Sequence, residues 1–534
     1  MRQFGNWLYN TFLANWMRRV LTLSGLVAAG VLLYVFLPPI GGPDSCATGV
    51  EKHGGECIGV NGTGYAFGTR EIDEVARAIA KENEEFVGDK PHVTVALMLP
   101  LQPDIAAERV QLRSEIQGAY LAQYRANREE NTPLLRLVLA NPGDAYAQQE
   151  RVVDQLADMA ADKNDNLRAV TGFNLSLDAT EKAIARLTGD LHIPVLAARV
   201  SADGLANPEK SAGKEPYPGL ARIIPTNRQQ ADALASFHGE LKDEETVLVR
   251  DKRPRDIYNN SLAEAFSRDE KGPPGPKDQT FDSPSITDPG DTGNDFTLIA
   301  QNICQSTARY VYFAGRPVHL RLFALKLADV QCRGKKYTIV SGSGAATLER
   351  YMKGDDWERL RGGGQEPVVT VQYAAPGHPD AWNHELSGKS GKKGGAKGRP
   401  AYLTEPQREL DELRALIGRG SAGEIGPVRL KDSRTMLVHD GVRTIAKAVL
   451  LSNAQTEGTV PPLKRVSDMW QRLEAVNRVR GASGWICLTN AGNAYDKPVA
   501  VVELNPRTEE LEFVGIGWPE GKPQPEDCRV PSGT

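Results

Sequence analysis

AVTGFNLSLDATEKAIARL, residues 169–187, runs from a short apolar stretch through a turn at Gly172, Phe173 and Asn174 to Ser176 and Thr180. It then continues into a helical pattern with apolar positions at Ala179, Ala183, Ile184 and Leu187. A strand, a loop of small polar groups and a helix in that order make one βα unit. The first amide N–H groups of such a helix have no partner inside it, so together with Ser and Thr hydroxyls they can cradle a carboxylate or another acceptor-rich group. The plainer reading is an ordinary strand-to-helix connection in which Ser176 only caps the helix.

The same alternation extends outward from this unit. Apolar strands are expected at His92–Leu99, Leu134–Ala140, Leu167–Thr171 and Val195–Ala198, with helices at Ile105–Asn127, Ala145–Ala161 and Leu177–Leu187 between them. Strict alternation implies right-handed βαβ units on a parallel sheet. A second series follows Arg222–Pro225, with helices at Arg228–Leu241, Tyr258–Arg268, Asp295–Gln305 and Val318–Ala328. Its strands are expected at Thr246–Arg250, Tyr310–Phe313, Lys336–Val340 and Pro367–Tyr373, interrupted by a Gly/Pro-rich loop over Lys271–Gly293. Two such series predict two lobes facing each other across a cleft, with ligand contacts at the C-terminal ends of the strands. Ser387–Pro400 reads as a basic, Gly-rich surface loop. Helices at Glu405–Ile417, Thr435–Leu451 and Lys464–Val479 come next, and a turn at Asn490–Asn493 precedes the strand Pro498–Leu504.

The chain has 534 residues, 40% of them hydrophobic and 25% charged, enough to bury a large core in more than one lobe. A formal net charge of -4 gives no pull toward nucleic acid, and none is expected as a partner. Val20–Leu37 is an uncharged apolar run just long enough to cross a bilayer. Arg2, Arg18 and Arg19 precede it, and Asp44, Glu51 and Glu56 follow it. The positive-inside rule therefore puts residues 1–19 in the cytoplasm, with 20–37 as a single-pass signal anchor in the cell membrane and the bulk outside. A cleaved signal peptide is the competing reading, against which stand the length of the run and the lack of an A-x-A-like site in LPPIGGPDSC. Residues 38–90 read as a stalk carrying a helix at Thr69–Glu85, and 516–534 as a C-terminal tail.

Six cysteines follow the span, and an even count in an exported segment points to disulfides. The simplest pairing joins sequence neighbours: Cys46 with Cys57, Cys304 with Cys332, and Cys487 with Cys528. Free structural thiols are the alternative. There is no C-x-x-C and no H-x-x-x-H, so no metal site and no cofactor is expected.

The order LMLP, TGFNLSLDAT, IPVLAARVSADGL, LARIIPTNRQQADALASF, TVLVRDKRPRDIYNNSLAEAF, DFTLIAQNI with ARYVYFAGR, YTIVSGSGA, LVHDGVRTIAKAV and GASGWICLTNAGNAYDKPVAVVEL resembles the type 1 periplasmic-binding fold. Within that fold it is most similar to the Leu/Ile/Val-binding receptors of ABC transporters, over about residues 91–515. The resemblance implies an α/β, two-lobed fold behind the N-terminal transmembrane helix. Lobe 1 would take about 91–224 and 367–483, and lobe 2 about 228–343 and 485–515. Chain crossings would fall near Ile224–Asn227, between Ser343 and Pro367, and near Ser483–Trp485. It also implies a ligand site at Leu175 and Ser176, at Ser201, Ala202 and Asp203, at Tyr258 (with Asn259 where the family has Gly), at Arg316 and at Ser343. Where amino-acid binders place an acid for the ligand ammonium, this chain has Ser343. A buried ammonium without a charged acceptor is costly, so the implied ligand is small and polar or anionic, gripped by Arg316 and Ser176.

Fragments that imitate catalytic motifs lack their frames. Gly388-Lys389-Ser390 has Asn383 where a P-loop needs its first Gly, and Gly342-Ser343-Gly344 is no nucleophile elbow. No enzyme is implied. The expected function is a membrane-anchored solute-binding protein that serves an ABC permease or a membrane signalling partner. The alternative is an ectodomain of the same fold that has lost its pocket and acts in structure or interaction.

Overall fold

The computed structural model describes residues 45–129, 133–209, 216–239, 241–267, 278–330, 332, 334–364, 367–383, 399–454 and 460–531. The expected span over 20–37 and the segment before it lie outside these residues, as does most of the loop over 387–400. Among the described residues, no helix is long and apolar enough to cross a membrane.

Three short antiparallel strands, Ser45–Ala47 (β1), Val50–His53 (β2) and Glu56–Asn61 (β3), open the fold. They are followed by the parallel strands His92–Met98 (β4), Leu134–Asn141 (β5), Leu167–Gly172 (β6), Val195–Ala197 (β7) and Leu220–Arg222 (β8). All eight form one sheet in the order β1-β2-β3-β5-β4-β6-β7-β8. In β4, Val93, Val95 and Leu97 enter one core while Ala96 and Met98 enter the other. Helices cover both faces, which is why the strand reads as a continuous apolar run.

The second sheet holds Thr246–Asp251 (β9), Gln279–Phe281 (β10), Tyr310–Ala314 (β11), Tyr337–Ser341 (β12) and Val369–Ala375 (β13). After the hairpin Val479–Gly481 (β14) and Gly484–Ile486 (β15), the antiparallel strands Val499–Asn505 (β16) and Glu510–Gly517 (β17) complete it as β10-β9-β11-β12-β13-β16-β17. The five parallel strands of each sheet thus repeat one order: second, first, third, fourth, fifth. That order reverses the chain's progress beside the first strand, and a crevice opens there at the carboxyl ends, at β4/β6 and at β9/β11.

Several boundaries differ from expectation. The segment 38–90 is no stalk from Ser45 onward, because β3 pairs with β5 through Gly59–Asn141 and Val60–Ala140, and Asp73–Lys81 is a helix packed on the first lobe. Strands this short, with a pairing partner some eighty residues away, leave no local signal. The second crossing follows Ala375 rather than falling between Ser343 and Pro367, since β13 pairs with β12 in the second sheet. The third lies beyond Ile486, because β14 and β15 pack on the first-lobe helices Ala401–Gly418 and Arg434–Asn453. The loop expected over Lys271–Gly293 contains β10, an edge strand of three residues. The helix expected over Lys464–Val479 is broken into an α-helical turn at Leu463–Asp468 and two short 3-10 turns at Trp470–Arg472 and Ala475–Asn477. Beyond Asp468 the Trp470 indole N–H donates to the Gly219 carbonyl (3.1 Å) and Leu488 N–H to the Leu473 carbonyl (2.9 Å), so tertiary hydrogen bonds displace the helical ones. The C-terminal residues are not a free tail: β17 extends the sheet to Gly517, and Cys528 is bonded to Cys487. Cys46–Cys57 and Cys304–Cys332 are also bonded.

The C-terminal part returns to the first lobe through Arg434–Asn453, which lies along Ala106–Arg128. Gly118 sets their distance: a Cβ there would stand 2.3 Å from the Thr435 carbonyl oxygen. Asp440 of the helix Arg434–Asn453 is fully buried and accepts the N–H of Ala482 (3.0 Å), and the N–H and hydroxyl of Ser483 (2.7 and 2.6 Å), in the turn between β14 and β15. His439 Nδ1 stands 3.0 Å from the same carboxylate. Lys497, just ahead of β16, donates to the Ser483 hydroxyl (3.1 Å), so a relay through that hydroxyl joins a first-lobe helix to a second-lobe strand.

Gly118→Val should therefore lower stability by about 1–3 kcal/mol in urea denaturation, as overpacking does. Gly189→Ala, with nothing within 4 Å of the new Cβ, should leave it nearly unchanged. Burial lowers the Lys497 pKa to about 8, against about 10.4 for an unperturbed lysine. Between those values the folded protein binds fewer protons than the unfolded chain, so stability relative to Lys497→Met should rise with pH from about 8 to about 10. Parallel denaturation of both proteins at neutral pH and near pH 10 measures it.

Candidate functional site

The crevice between the sheets holds a cavity of about 120 Å³. First-lobe residues Glu108, Gln111, Asn174, Leu175, Arg199 and Arg434 line it, and Arg316, Gly344, Thr347 and Tyr351 face them from the second lobe. Five arrive by way of the strand order, since Asn174 and Leu175 follow β6, Arg199 follows β7, Arg316 follows β11 and Gly344 follows β12, while Glu108, Gln111 and Arg434 come from helices.

Of the residues expected at the site, Leu175 and Arg316 line this cavity. The others lie around it in different roles. The Ser176 carbonyl accepts the Tyr258 N–H (3.2 Å), and the Ser201 carbonyl accepts the Asn227 N–H (2.7 Å). Asp203 accepts the Ser261 hydroxyl (2.7 Å) and faces the Arg228 N–H at 3.2 Å. All four contacts run from lobe to lobe. Ala202 stays within the first lobe, its carbonyl accepting from Arg222 (3.0 Å), and Ser343 stays within the second, donating its N–H to Gln230 (2.9 Å). Buried Tyr258 accepts the Gly344 N–H at its hydroxyl (2.9 Å), and burial pushes that hydroxyl up to about 12.

Arg316 is not the open guanidinium expected. Its Nε and Nη2 donate to the two oxygens of Asp256 at 2.8 and 2.6 Å, and the group stands 4.8 Å from the Tyr258 ring centroid. Burial alone would lower the Arg316 pKa, but the Asp256 carboxylate holds it above the usual value. Asp256 also caps the helix Ile257–Phe266 by accepting the Asn259 N–H (3.1 Å), which fixes the carboxylate for a two-point contact.

The sequence reading missed the charged wall opposite. Glu115, in the middle of Ala106–Arg128 and fully buried, accepts from Arg199 (2.6 Å), from Arg434 and from Asn174 Nδ2 (3.1 Å). Two guanidiniums share one carboxylate. Burial, reinforced by the Arg434 charge, lowers Arg199 to about 10. Glu108 accepts the Tyr351 hydroxyl across the cleft (2.9 Å), and burial raises its pKa. Arg434 Nε and Gln111 Nε2 are buried without a hydrogen-bond partner. The available signal was Arg199, a charge inside the otherwise apolar run IPVLAARV; Arg434, at the start of its helix, carries no comparable mark.

Two parallel sheets with a common strand order, joined by repeated chain crossings around a cleft, make this the type 1 periplasmic-binding fold. Solved structures share it. A leucine-binding protein from Thermotoga maritima superposes with a TM-score of 0.51 at 17% identity, over 80% of this chain and 99% of that one. A branched-chain amino acid transporter substrate-binding protein from Streptococcus pneumoniae, in complex with isoleucine, gives 0.55 at 14%, over 80% and 99%. A solute-binding protein from R. palustris, in complex with 4-hydroxybenzoate, gives 0.51 at 14%, over 80% and 96%. No family model and no curated protein sequence matches the chain.

Removing a carboxylate that two buried guanidiniums share leaves like charges facing each other. Glu115→Gln should cost about 3–5 kcal/mol in chemical denaturation, and Arg199→Met in the same chain should restore part of that loss.

Proposed function

We propose that the chain is an extracytoplasmic solute-binding protein, anchored in the cell membrane by residues 20–37 with its N-terminus in the cytoplasm. Its lobes close over a small polar ligand, either for ABC-type uptake or to signal the ligand to a membrane partner. The supporting observation is the cavity at the carboxyl ends of both sheets, the place where open α/β sheets take ligands. At about 120 Å³ it corresponds to about four water volumes, the scale of a small solute rather than a peptide or nucleic acid. Its buried carboxylates are held by guanidinium or tyrosine partners, which supports a reading as a binding site.

The second reading, a structural or interaction ectodomain, is favoured by one observation. Ser176, Ser201 and Asp203 are already engaged in contacts between the lobes. Small-angle scattering of the full-length chain, combined with mass spectrometry of small molecules released on denaturation, separates the two. The solute-binding reading expects a released small molecule, and expansion of the protein once that molecule is dialysed away. A particle of constant dimensions that releases nothing would leave only the scaffold reading.

A further inference from the structure

The hydrogen-bonding groups around the cavity divide unevenly. Every buried acid there is occupied: Glu115 by Arg199, Arg434 and Asn174, Asp256 by Arg316 and Asn259, and Glu108 by Tyr351. What stays unspent is a pair of donors. Arg434 and Gln111 are each 7% exposed, both line the cavity, and neither Arg434 Nε nor Gln111 Nε2 has a partner. Leaving a buried donor unmade costs the desolvation of that group, so an acceptor brought to it recovers free energy. Charge adds little to this, because Glu115 pairs with both Arg199 and Arg434 while Glu108 on the same wall also feels Arg434, so the two vacant donors alone favour an incoming acceptor.

From these groups, we propose that the cavity takes a small monocarboxylate lacking an ammonium group, received by Arg434 Nε and Gln111 Nε2. This rests on the solute-binding reading above and names its ligand class. An amino acid would bring the same carboxylate together with an ammonium that meets two guanidiniums. The remaining unpaired acid in the lining, Asp144, is exposed at the rim, where an ion pair formed in water is worth little.

Isothermal calorimetry on the full-length chain with propionate, L-alanine and propionamide tests this, since the three differ in charge and hardly in shape. The expected result is binding of propionate, with alanine weaker by about tenfold or more and propionamide silent. Gln111→Leu should weaken propionate by about tenfold while the thermal melting curve stays in place. Arg434→Gln should abolish binding, and its melting curve shows whether the fold survives. Alanine binding as tightly as propionate, propionamide matching it, or an unaltered affinity in Gln111→Leu would overturn the ligand class and leave solute binding standing. No heat with any of the three overturns it as well. A molecule released on denaturation then keeps the solute-binding reading, and its absence removes that too.

Discussion

Helix Arg434–Asn453 is buried along most of its length, and the two-lobed arrangement depends on its packing. It belongs in sequence to the last quarter of the chain and in space to the first lobe, held there by contact with Ala106–Arg128 at Gly118. Glycine inside a helix costs about 1 kcal/mol relative to alanine, and here that cost lets one backbone approach another. Three other features follow from the placement. Arg434 reaches Glu115 and the cavity, Asp440 reaches the turn between β14 and β15, and Gly441 lies against β7 through the Leu196 and Ala198 side chains.

The alternation of apolar runs with helical patterns made both parallel sheets legible, because strands buried on both faces announce themselves by composition. The same rule explains the failures. β1 to β3 and β10 are short strands of three to six residues at the margins of the sheets, whose existence depends on pairing with other strands and not on their own pattern. Lys464–Val479 has helical spacing, yet Trp470 and Leu473 are claimed by groups from elsewhere in the chain. At the site, the loops were legible and their partners were not. Leu175 and Arg316 could be placed from neighbouring motifs, but that Asp256 would occupy Arg316 depends on the three-dimensional path of the turn after β9. Glu115 carries no local mark at all, being one acid among several polar residues on a long helix.

Electrostatics in the cleft is governed by desolvation, which every buried ion there must offset. Arg316 and Asp256 do so as a two-point pair; Glu115 does so by collecting three donors; Glu108, with a single hydroxyl for partner, is shifted toward its neutral form. The arginines differ accordingly. Arg316 has a carboxylate of its own and its charged form is reinforced, whereas Arg199 shares one and its charged form is weakened. The two walls thus compensate their arginines differently, one by a private carboxylate and one by a shared carboxylate.

After β17 the chain leaves the second sheet once more. Trp518 packs edge-on against Tyr402 of the first lobe, the Ala475 N–H donates to the Cys528 carbonyl, and Cys528 is joined to Cys487. The lobes are therefore spanned four times rather than three, and the last two spans are closed into a covalent ring with a sequence separation of 41 that contains the β16–β17 hairpin. A jaw mounted on such a ring cannot swing about a single flexible seam. Its rotation has to be shared between both arms of the loop, which confines the gape and keeps the hairpin in step with whatever the first lobe does.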